Sequence, residues 1–391
     1  MFSNHKLIRI TTVPMSLDKL LEGQLSYMSK YYDVVAVSSD ESRLQKVGDK
    51  EGVKTYCVEM SRKITPFEDL KSLWKLYKFL RKEKPLIVHT HTPKAGTVGM
   101  MASCLAGIPY RIHTVAGLPL IVARGSKRKL LNFVEKITYK CATSVWPNSY
   151  ALKDIIIKEK LCSPEKLKVI ANGSSNGINT KYFDPVVYTT EYKEQLKRKL
   201  GINQEDFVFV FVGRLVSDKG INELVEVFDR LRINYMDIKL LLVGPEEKEL
   251  DPLSERTLSA IDNNKGIISV GYQSDVRPYF AISDALVFPS YREGFPNVVM
   301  QAGAMGLPAI VTDINGCNEI IINHKNGTII PVKDAGTLYQ MMERYVADKE
   351  YVSGLKENAR EMIASRYEQS MIWNALLEEY KSLEKACANN V

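Results

Sequence analysis

The sequence lacks the hallmarks of several protein classes. Its six cysteines are scattered and include no Cys-x-x-Cys pair, which argues against a metal or redox motif and favours reduced thiols in a cytosolic protein. No window reaches the roughly 18 apolar residues of a membrane-spanning helix. Charged residues interrupt the apolar residues that follow Met1, so we expect no targeting segment.

Size and charge are more informative. The 391 residues are 45% hydrophobic and 25% charged, which suffices for two domains with full cores. The net charge of +7 is unevenly divided: residues 1–181 carry 30 Lys and Arg against 15 Asp and Glu, whereas the remainder carries 23 against 31. We therefore expect an anionic partner for the first half, which could be nucleic acid, a phosphorylated lipid or the inner face of a membrane.

Short apolar runs alternate with helical patterns along both halves of the chain. The runs predicted as strands are 7–13, 33–37, 53–58, 86–92, 110–115, 144–146, 167–170, 207–212, 239–243, 267–270, 285–289 and 308–312. This alternation predicts an α/β fold with two doubly wound parallel sheets, each a Rossmann-like domain. We place the hinge near Asp184, which gives domains 1–184 and 185–366 and a C-terminal helix 367–391.

Residues 289–319 form the most informative stretch. An apolar strand leads into a Gly/Pro turn bearing Glu293, and Pro296 then stands at the start of a helix. The unpaired N–H groups and the dipole of a helix start favour phosphate, and the neighbouring acid suits hydroxyl groups. The pattern indicates a ligand with phosphate at one end and a polyol at the other, although Glu293 taken alone is typical of an exposed loop acid.

A second candidate site lies at residues 213–220, Gly-Arg-Leu-Val-Ser-Asp-Lys-Gly, directly after an apolar strand. Two cations at a strand-to-helix turn, Arg214 and Lys219, can neutralise a diphosphate in binding and in departure. On charge pattern alone, a solvated turn is an equally good interpretation.

Segment 293–297, Glu-Gly-Phe-Pro-Asn, resembles the donor-sugar site of glycosyltransferase family 4, whose hallmark is two Glu separated by seven residues. Gln301 stands here at the second Glu position. Segment 213–220 looks like the diphosphate clamp of the same family. The resemblance spans nearly the whole chain. It implies the GT-B arrangement, in which two Rossmann-like domains face a cleft, the second domain holds the donor and the first holds the acceptor.

The resemblance also implies roles for individual residues. Arg214, Lys219 and Glu293 would form the catalytic set, and no metal would be needed. The residues that it places around the donor are Gly213, Arg214, Lys219, Gly244, Val270, Tyr272, Glu293, Gly294, Phe295, Pro296, Asn297, Val298 and Gln301. Two alternatives stay open, since Gln301 could be an ordinary helix residue and Gly244 an ordinary strand-end glycine. A Gln carbonyl can accept from ribose hydroxyls, but without charge assistance.

Acceptor-side candidates lie in the first half. His89 and His91 are two apart on a predicted strand, a spacing that could bind metal, but no third ligand is apparent. Segments 91–96 and 111–119 resemble a family subgroup that builds bacterial surface polysaccharides and lipid-linked glycans, although Ala116 stands where many members have His. The acceptor-side candidates are His91, Lys94 and His113 from these segments, together with Arg124, which stands just before a basic helix.

Apolar residues recur at helical spacing along residues 66–83 and 127–141, which predicts two amphipathic helices. In the second, lysines line the side opposite the apolar stripe. This basic face could be solvated, or it could contact a membrane surface or a lipid phosphate. The basic first half favours membrane contact, at the inner face of the cytoplasmic membrane. No base-reading motif accompanies the charge, so we do not expect nucleic acid as a partner.

These inferences combine into one hypothesis. We expect a retaining glycosyltransferase that moves a sugar, an N-acetylhexosamine, from a UDP-sugar to an undecaprenyl-diphosphate-linked glycan in polysaccharide, capsule or O-antigen biosynthesis. We expect no cofactor, because the nucleotide sugar is a substrate. The alternatives are a nucleotide-sugar epimerase of the same fold and a non-catalytic nucleotide-sugar-binding protein.

Overall fold

The structure is a computed structural model that describes residues 5–61, 65–121, 123–247, 249 and 251–388. The chain divides into two compact units. Unit 1 comprises Met1–Gly177 and Gln369–Val391, and unit 2 comprises Ile178–Glu368. Each unit contains a six-stranded parallel sheet with helices packed on it, so the predicted pair of Rossmann-like α/β domains is confirmed.

Unit 1 is built on strands in the order β3-β2-β1-β4-β5-β6. The strands are β1 (Lys6–Ile10), β2 (Asp33–Ser38), β3 (Lys54–Cys57), β4 (Ile87–His91), β5 (Tyr110–Val115) and β6 (Ser144–Pro147). The helices are α1 (Pro14–Leu20), α2 (Gln24–Ser29), α3 (Glu41–Glu51), α4 (Pro66–Glu83), α5 (Pro93–Leu105), α6 (Gly125–Cys141) and α7 (Tyr150–Lys158). The central strands are continuously buried, as expected for a parallel sheet covered on both faces.

Unit 2 repeats the architecture with strand order β12-β11-β10-β7-β8-β9. Its strands are β7 (Phe207–Val212), β8 (Ile238–Val243), β9 (Ile267–Ser269), β10 (Ala285–Phe288), β11 (Ala309–Thr312) and β12 (Gly327–Ile330). Its helices are α8 (Thr190–Lys199), α9 (Ile221–Asn234), α10 (Glu255–Asn263), α11 (Arg277–Ala281), α12 (Asn297–Ala304), α13 (Cys317–Ile320), α14 (Ala335–Ala347) and α15 (Lys349–Tyr367). Its core is one cluster of apolar side chains from all six strands and the helices around them.

The division between the units lies at Gly177 and Ile178 rather than near Asp184. The intervening residues are bonded to α15 of unit 2: the Ile178 N–H donates to the Tyr367 carbonyl at 2.8 Å, and Arg360 donates to the Phe183 carbonyl at 2.7 Å. Turn-forming residues at 172–177 were therefore a better marker of the boundary than the Pro at 185.

The last helix, α16 (Gln369–Ala388), belongs to unit 1. Its Tyr380 is fully buried and accepts a hydrogen bond from Arg9 of β1 at 3.0 Å. Its Trp373 donates to the side chain of Asn176 at 2.6 Å. Unit 1 is thus completed by a helix that follows the whole of unit 2 in sequence.

Two details differ from prediction. The segment 167–170 is not a strand, because only Leu167 forms a bridge, to Val145 of β6. The amphipathic helices α4 and α6 do form, but much of the apolar stripe on each is solvent-exposed. None of the helices in the described residues combines the length and apolar character needed to cross a membrane.

Candidate active site

The candidate site of unit 2 lies at the carboxyl ends of β7 and β10. These neighbouring strands mark the point where the strand order reverses, since β8 and β9 lie on one side of β7 and β10–β12 on the other. Ligands of open parallel sheets bind at such a point, between the loops that leave the two strands. We call these the β7 loop (residues 213–220) and the β10 loop (residues 289–296).

The β7 loop and the segment between β8 and α10, which we call the β8 loop, leave the sheet in close contact. Gly244 has φ +147°, and a Cβ atom there would overlap the Gly213 carbonyl oxygen, so only glycine allows this approach. The Leu215 N–H donates to the Pro245 carbonyl at 2.9 Å and extends the pairing beyond the strands. Both predicted donor-site glycines, Gly213 and Gly244, thus have a structural role in fixing where the β7 loop begins.

The β7 loop is joined to the β10 loop by an ion pair between Lys219 and Glu293. The two side chains are 16% and 18% exposed. Ser290 Oγ donates to Glu293 Oε1 at 3.1 Å, and Lys219 Nζ lies 5.8 Å from the ring centroid of Phe288. The structure therefore brings together two residues that the sequence predicts for one site but separates by more than 70 positions.

Asp218 makes a second connection that sequence reasoning missed. Its carbonyl accepts from the Tyr291 N–H at 2.9 Å, and its carboxylate accepts from Arg292 Nε and Nη2 at 3.1 and 2.9 Å. Its own N–H donates to Asp251 Oδ2 at 2.6 Å. Asp218 thus links the β7 loop to the β10 and β8 loops. The only sequence feature that could have indicated this role is the position of Asp218 between the two predicted cations, Arg214 and Lys219.

Arg214 points to the β8 loop, where its Nη1 donates to Glu247 Oε2. The Arg214 side chain is 52% exposed and that of Glu247 is 25% exposed. Arg214 and Lys219 therefore both carry a carboxylate partner in the structure.

The β10 loop runs into α12 with its start open to a ligand. Pro296 precedes the helix, and the N–H groups of Asn297 and Val298 have no hydrogen-bond partner among the residues that the structure describes. Phe295 is buried against Tyr367, with ring centroids 5.4 Å apart, which anchors the loop to α15. The arrangement at Asn297 and Val298 fits the phosphate-binding helix start predicted from the sequence.

Two residues that follow β11, Asn315 and Gly316, contact the backbone of the β10 loop. Asn315 Nδ2 donates to the carbonyl oxygens of Glu293 and Gly294. Gly316 has φ +78°, and a Cβ atom there would lie 2.6 Å from the Gly294 carbonyl oxygen. Asn315 and Gly316 were not singled out from the sequence, because their role arises only when the two loops meet.

Cys317, the first residue of α13, is fully buried close to the ion pair. Burial raises the pKa of its thiol well above the ordinary value, the Glu293 carboxylate raises it further, and Lys219 opposes the shift. The thiol is therefore protonated and unreactive at neutral pH.

The other donor-site candidates lie at the same edge of the sheet. Gln301 is half-buried one turn along α12, and its side chain makes no hydrogen bond within the described part of the chain. Val270 follows the edge strand β9 and donates its N–H to the Leu242 carbonyl, and Tyr272 is largely exposed beside it. An exposed aromatic ring at this edge can stack on a planar ligand.

Two acceptor-side candidates of unit 1, His91 and His113, are buried. His91 is within 2.8 Å of Arg9 Nη2, and His113 Nδ1 is within 2.8 Å of Thr90 Oγ1. Burial lowers the pKa of His113 to about 4, so it is neutral at pH 7. These positions favour packing and internal hydrogen bonding over direct contact with an acceptor.

The remaining acceptor-side candidates are polar groups nearer the surface. Lys94, at the start of α5, pairs with Asp69 of α4. Arg124 is exposed and immediately precedes α6. His89 is buried with both ring nitrogens occupied, by the Tyr380 hydroxyl at 2.5 Å and the Thr114 hydroxyl at 2.7 Å, which leaves no nitrogen for a metal ion.

The strand order of unit 1 also reverses between β1 and β4, and the loops there are joined by two threonines. Thr12 Oγ1 and Thr92 Oγ1 are 2.7 Å apart, and the Ala95 N–H donates to Thr12 Oγ1 at 3.2 Å. Thr92 has φ +73°, an uncommon conformation for a β-branched residue. Neither threonine was predicted from the sequence, because the strain and the pairing depend on tertiary contact.

Comparison with known proteins covers both units. Residues 26–173 match the family described as "Glycosyl transferase 4-like domain", and residues 192–362 match the one described as "Glycosyl transferases group 1". The chain is 33% identical over 383 residues to the capsular polysaccharide biosynthesis glycosyltransferase CapM of Staphylococcus aureus, covering 98% of each chain.

Two further relatives are informative. An Escherichia coli UDP-Gal:alpha-D-GlcNAc-diphosphoundecaprenol alpha-1,3-galactosyltransferase is 30% identical over 342 residues, which cover 87% of this chain and 86% of that one. The crystal structure of Anabaena HepE in complex with UDP superposes with a TM-score of 0.79 at 16% identity, over 97% of this chain and 100% of that one. At that identity the second match shows the fold alone.

Proposed function

The chain belongs to the group 1 glycosyltransferases, and on that premise we propose that it transfers a sugar, with retention, from a nucleotide diphosphate sugar to a lipid-linked glycan. One observation carries the proposal. At the switch point of unit 2, two cations, a carboxylate and the open start of α12 lie on loops that are tied together. Such a site suits a ligand that is anionic at one end and rich in hydroxyl groups at the other.

Each group in the site has a separate role in the transfer. Arg214 and Lys219 stabilise the negative charge that develops as the bond between the anomeric carbon and the diphosphate oxygen breaks. The N–H groups of Asn297 and Val298 bind phosphate oxygens, and Glu293 accepts from sugar hydroxyls through its second carboxylate oxygen. A bond forms between the acceptor oxygen and the anomeric carbon on the same face. The acceptor proton passes to the departing phosphate, so no protein nucleophile is needed.

We propose UDP as the nucleotide and an N-acetylhexosamine as the sugar. UDP is supported by the name of the Escherichia coli relative and by the UDP bound to the Anabaena neighbour of the same fold. The relative's name gives galactose as its sugar, so the donor panel described below includes UDP-galactose as the alternative to a UDP-N-acetylhexosamine.

The proposed acceptor is a glycan carried on undecaprenyl diphosphate, as in the synthesis of surface polysaccharides. The name of the Escherichia coli relative contains such an acceptor, and the name of the Staphylococcus relative places that protein in capsule synthesis. A lipid-linked acceptor is held at a membrane surface, so the enzyme must approach that surface to react.

A face of unit 1 offers such an approach. Helix α5 packs between α4 and α6, and the outer sides of α4 and α6 expose large apolar side chains. We call this the α4–α6 face; its apolar members are Phe67, Leu70, Trp74, Leu130 and Phe133. Phe67 is 84% exposed and Phe133 is 63% exposed. The same two helices also expose lysines: Lys71, Lys75, Lys78, Lys127, Lys129 and Lys136. Helices that expose both aromatic side chains and lysines are typical of proteins that bind the surface of an anionic bilayer.

The reaction is tested with a panel of UDP-GlcNAc, UDP-GalNAc, UDP-Gal, UDP-Glc and GDP-Man, each labelled in the sugar, and with lipid-linked glycan extracted from membranes. We expect label in the lipid fraction from one UDP-N-acetylhexosamine. Substituting both Arg214→Ala and Lys219→Ala should abolish transfer while circular dichroism stays unchanged. Full activity of that double variant would refute the site.

The same panel separates the alternatives. Conversion of a UDP-sugar into an isomer without acceptor would identify an epimerase. UDP-sugar binding without transfer to any acceptor would identify a binding protein.

Membrane contact is tested by co-sedimentation with vesicles of phosphatidylglycerol or of phosphatidylcholine. We expect sedimentation with the anionic vesicles only, and a loss of about tenfold in the Trp74→Ser plus Phe133→Ser double variant. The matched control is Ile233→Ser, which removes an exposed apolar side chain from unit 2. Equal sedimentation of the double variant and the control would refute the α4–α6 face as the contact.

A further inference from the structure

Both cations of the proposed diphosphate site already have a carboxylate partner in the protein. Lys219 pairs with Glu293, which belongs to the predicted site, whereas Arg214 pairs with Glu247, which does not. Glu247 lies in the β8 loop, four residues after the end of β8. It therefore needs a role of its own.

A carboxylate and a phosphate compete for the same groups of an arginine. The guanidinium donates parallel N–H bonds to either anion with similar geometry, so an N–H that is bonded to Glu247 is not available to a diphosphate oxygen. The Arg214 side chain is about half exposed, which leaves room for the exchange of one anion for the other.

The backbone keeps Glu247 close to Arg214 whichever anion is bound. The Gly213 N–H donates to the Val243 carbonyl and the Leu215 N–H to the Pro245 carbonyl, both at 2.9 Å. These bonds lie on either side of Arg214 and at the base of the β8 loop. The Glu247 side chain can rotate away, but its charge stays near the site.

We propose that Glu247 is the counter-ion of Arg214 in the donor-free enzyme and that it competes with the diphosphate, weakening nucleotide binding and speeding product release. This inference rests on the proposed donor site. UDP carries more negative charge than a UDP-sugar, because cleavage leaves a terminal phosphate. Repulsion by Glu247 therefore acts more strongly on the product than on the donor, and it favours departure of UDP after transfer.

The experiment measures UDP binding to the full chain by isothermal titration calorimetry and UDP dissociation by stopped flow. Glu247→Gln should lower the Kd for UDP by about fivefold, the range expected for loss of an exposed competing ion pair. It should slow UDP dissociation and leave the Kd for uridine unchanged. Glu249→Gln is the matched control, since it removes the same charge from an exposed position in the same loop.

A double-mutant cycle locates the effect. In an Arg214→Gln background, Glu247→Gln should tighten UDP binding less than it does in the unmodified chain, because the competition for Arg214 is absent and only direct repulsion of UDP is relieved. Equal gains from Glu247→Gln and Glu249→Gln would overturn the inference in favour of a general charge effect. A loss of UDP affinity in Glu247→Gln would also overturn it, since Glu247 would then position Arg214 for the ligand.

Failure of the inference is distinguishable from failure of the proposed function. UDP binding that requires Arg214 and Lys219 but is unaffected by Glu247→Gln would leave the donor site intact and refute only the counter-ion role. Absence of UDP binding by the unmodified chain would refute both.

Discussion

The ion pair of Lys219 and Glu293 makes a stability prediction that is separate from catalysis. Lys219→Ala leaves the Glu293 carboxylate with no cation in a site where the two side chains were 16% and 18% exposed. Removing one partner of a fully buried pair costs about 3–5 kcal/mol, whereas an exposed pair contributes at most about 1 kcal/mol. For this partly buried pair we expect a loss of about 2 kcal/mol.

The assay is thermal unfolding of the full chain without nucleotide. A loss of about 2 kcal/mol corresponds to a decrease of about 4–8 °C in the melting temperature of a domain of this size. Adding Glu293→Gln to Lys219→Ala should recover most of the decrease, because the uncompensated charge is gone. Neither variant should transfer sugar.

Arg214→Ala offers a matched comparison, because it breaks the more exposed pair with Glu247 and should lower the melting temperature by at most about 4 °C. A Lys219→Ala variant that melts like the unmodified chain would show that the ion pair does not stabilise unit 2. Failure of Glu293→Gln to recover stability in the double variant would show that an unpaired Glu293 carboxylate is not the cause of the loss.

Three further predictions concern other parts of the molecule. Gln301→Glu should tighten UDP binding by about tenfold through charge-assisted bonds to the ribose hydroxyls, with no gain for 2′,3′-dideoxy-UDP in calorimetry. Gly316→Ala should abolish UDP binding because its Cβ would displace the Gly294 carbonyl, whereas Gly271→Ala, also at positive φ but in open space, should retain it. Acidification from pH 6.5 to about pH 4 should lower the free energy of unfolding by about 3 kcal/mol through His113. In this range His113 is protonated in the unfolded chain, whereas burial keeps it neutral in the folded chain. Urea unfolding at pH 7 and pH 4.5 tests this last effect, which His113→Asn should remove.

The fold was predictable because its strands are marked by composition. Runs such as 207–212 and 239–243 contain several consecutive apolar residues and lie within β7 and β8. The carboxyl ends of parallel strands share one edge, so residues 213–220 and 289–296 could be assigned to one site before any contact was known.

The outward faces of α4 and α6 were less predictable. On α6 the buried residues include Thr138, whose hydroxyl bonds to Thr97 of α5, and on α4 they include Ser72. The small side chain of Thr138 is covered by α5, whereas the larger Leu130 and Phe133 remain exposed. The spacing of apolar residues shows that a helix is amphipathic, but which of its faces is buried depends on how the neighbouring helix packs against it.

The partners of the site residues were not predictable at all. Asp218, Glu247 and Asn315 act through side chains and carbonyls on other loops, at separations of tens of residues. Their local sequence looks like ordinary loop composition. Such contacts depend on the relative positions of strand ends, which are set only when the sheet has formed.

The position of α16 has a consequence for the order in which the chain folds during synthesis. Unit 2 is one continuous segment, so all of its strands are translated before α16. While unit 2 is being translated, Arg9 and His89 of unit 1 lack their hydrogen bonds to the Tyr380 hydroxyl. The apolar cluster that contains Leu7 and Trp146 also lacks the side chains that α16 contributes to it. The domain synthesised first is therefore the last to be completed, and its exposed apolar surface is where a nascent chain of this protein needs protection from aggregation.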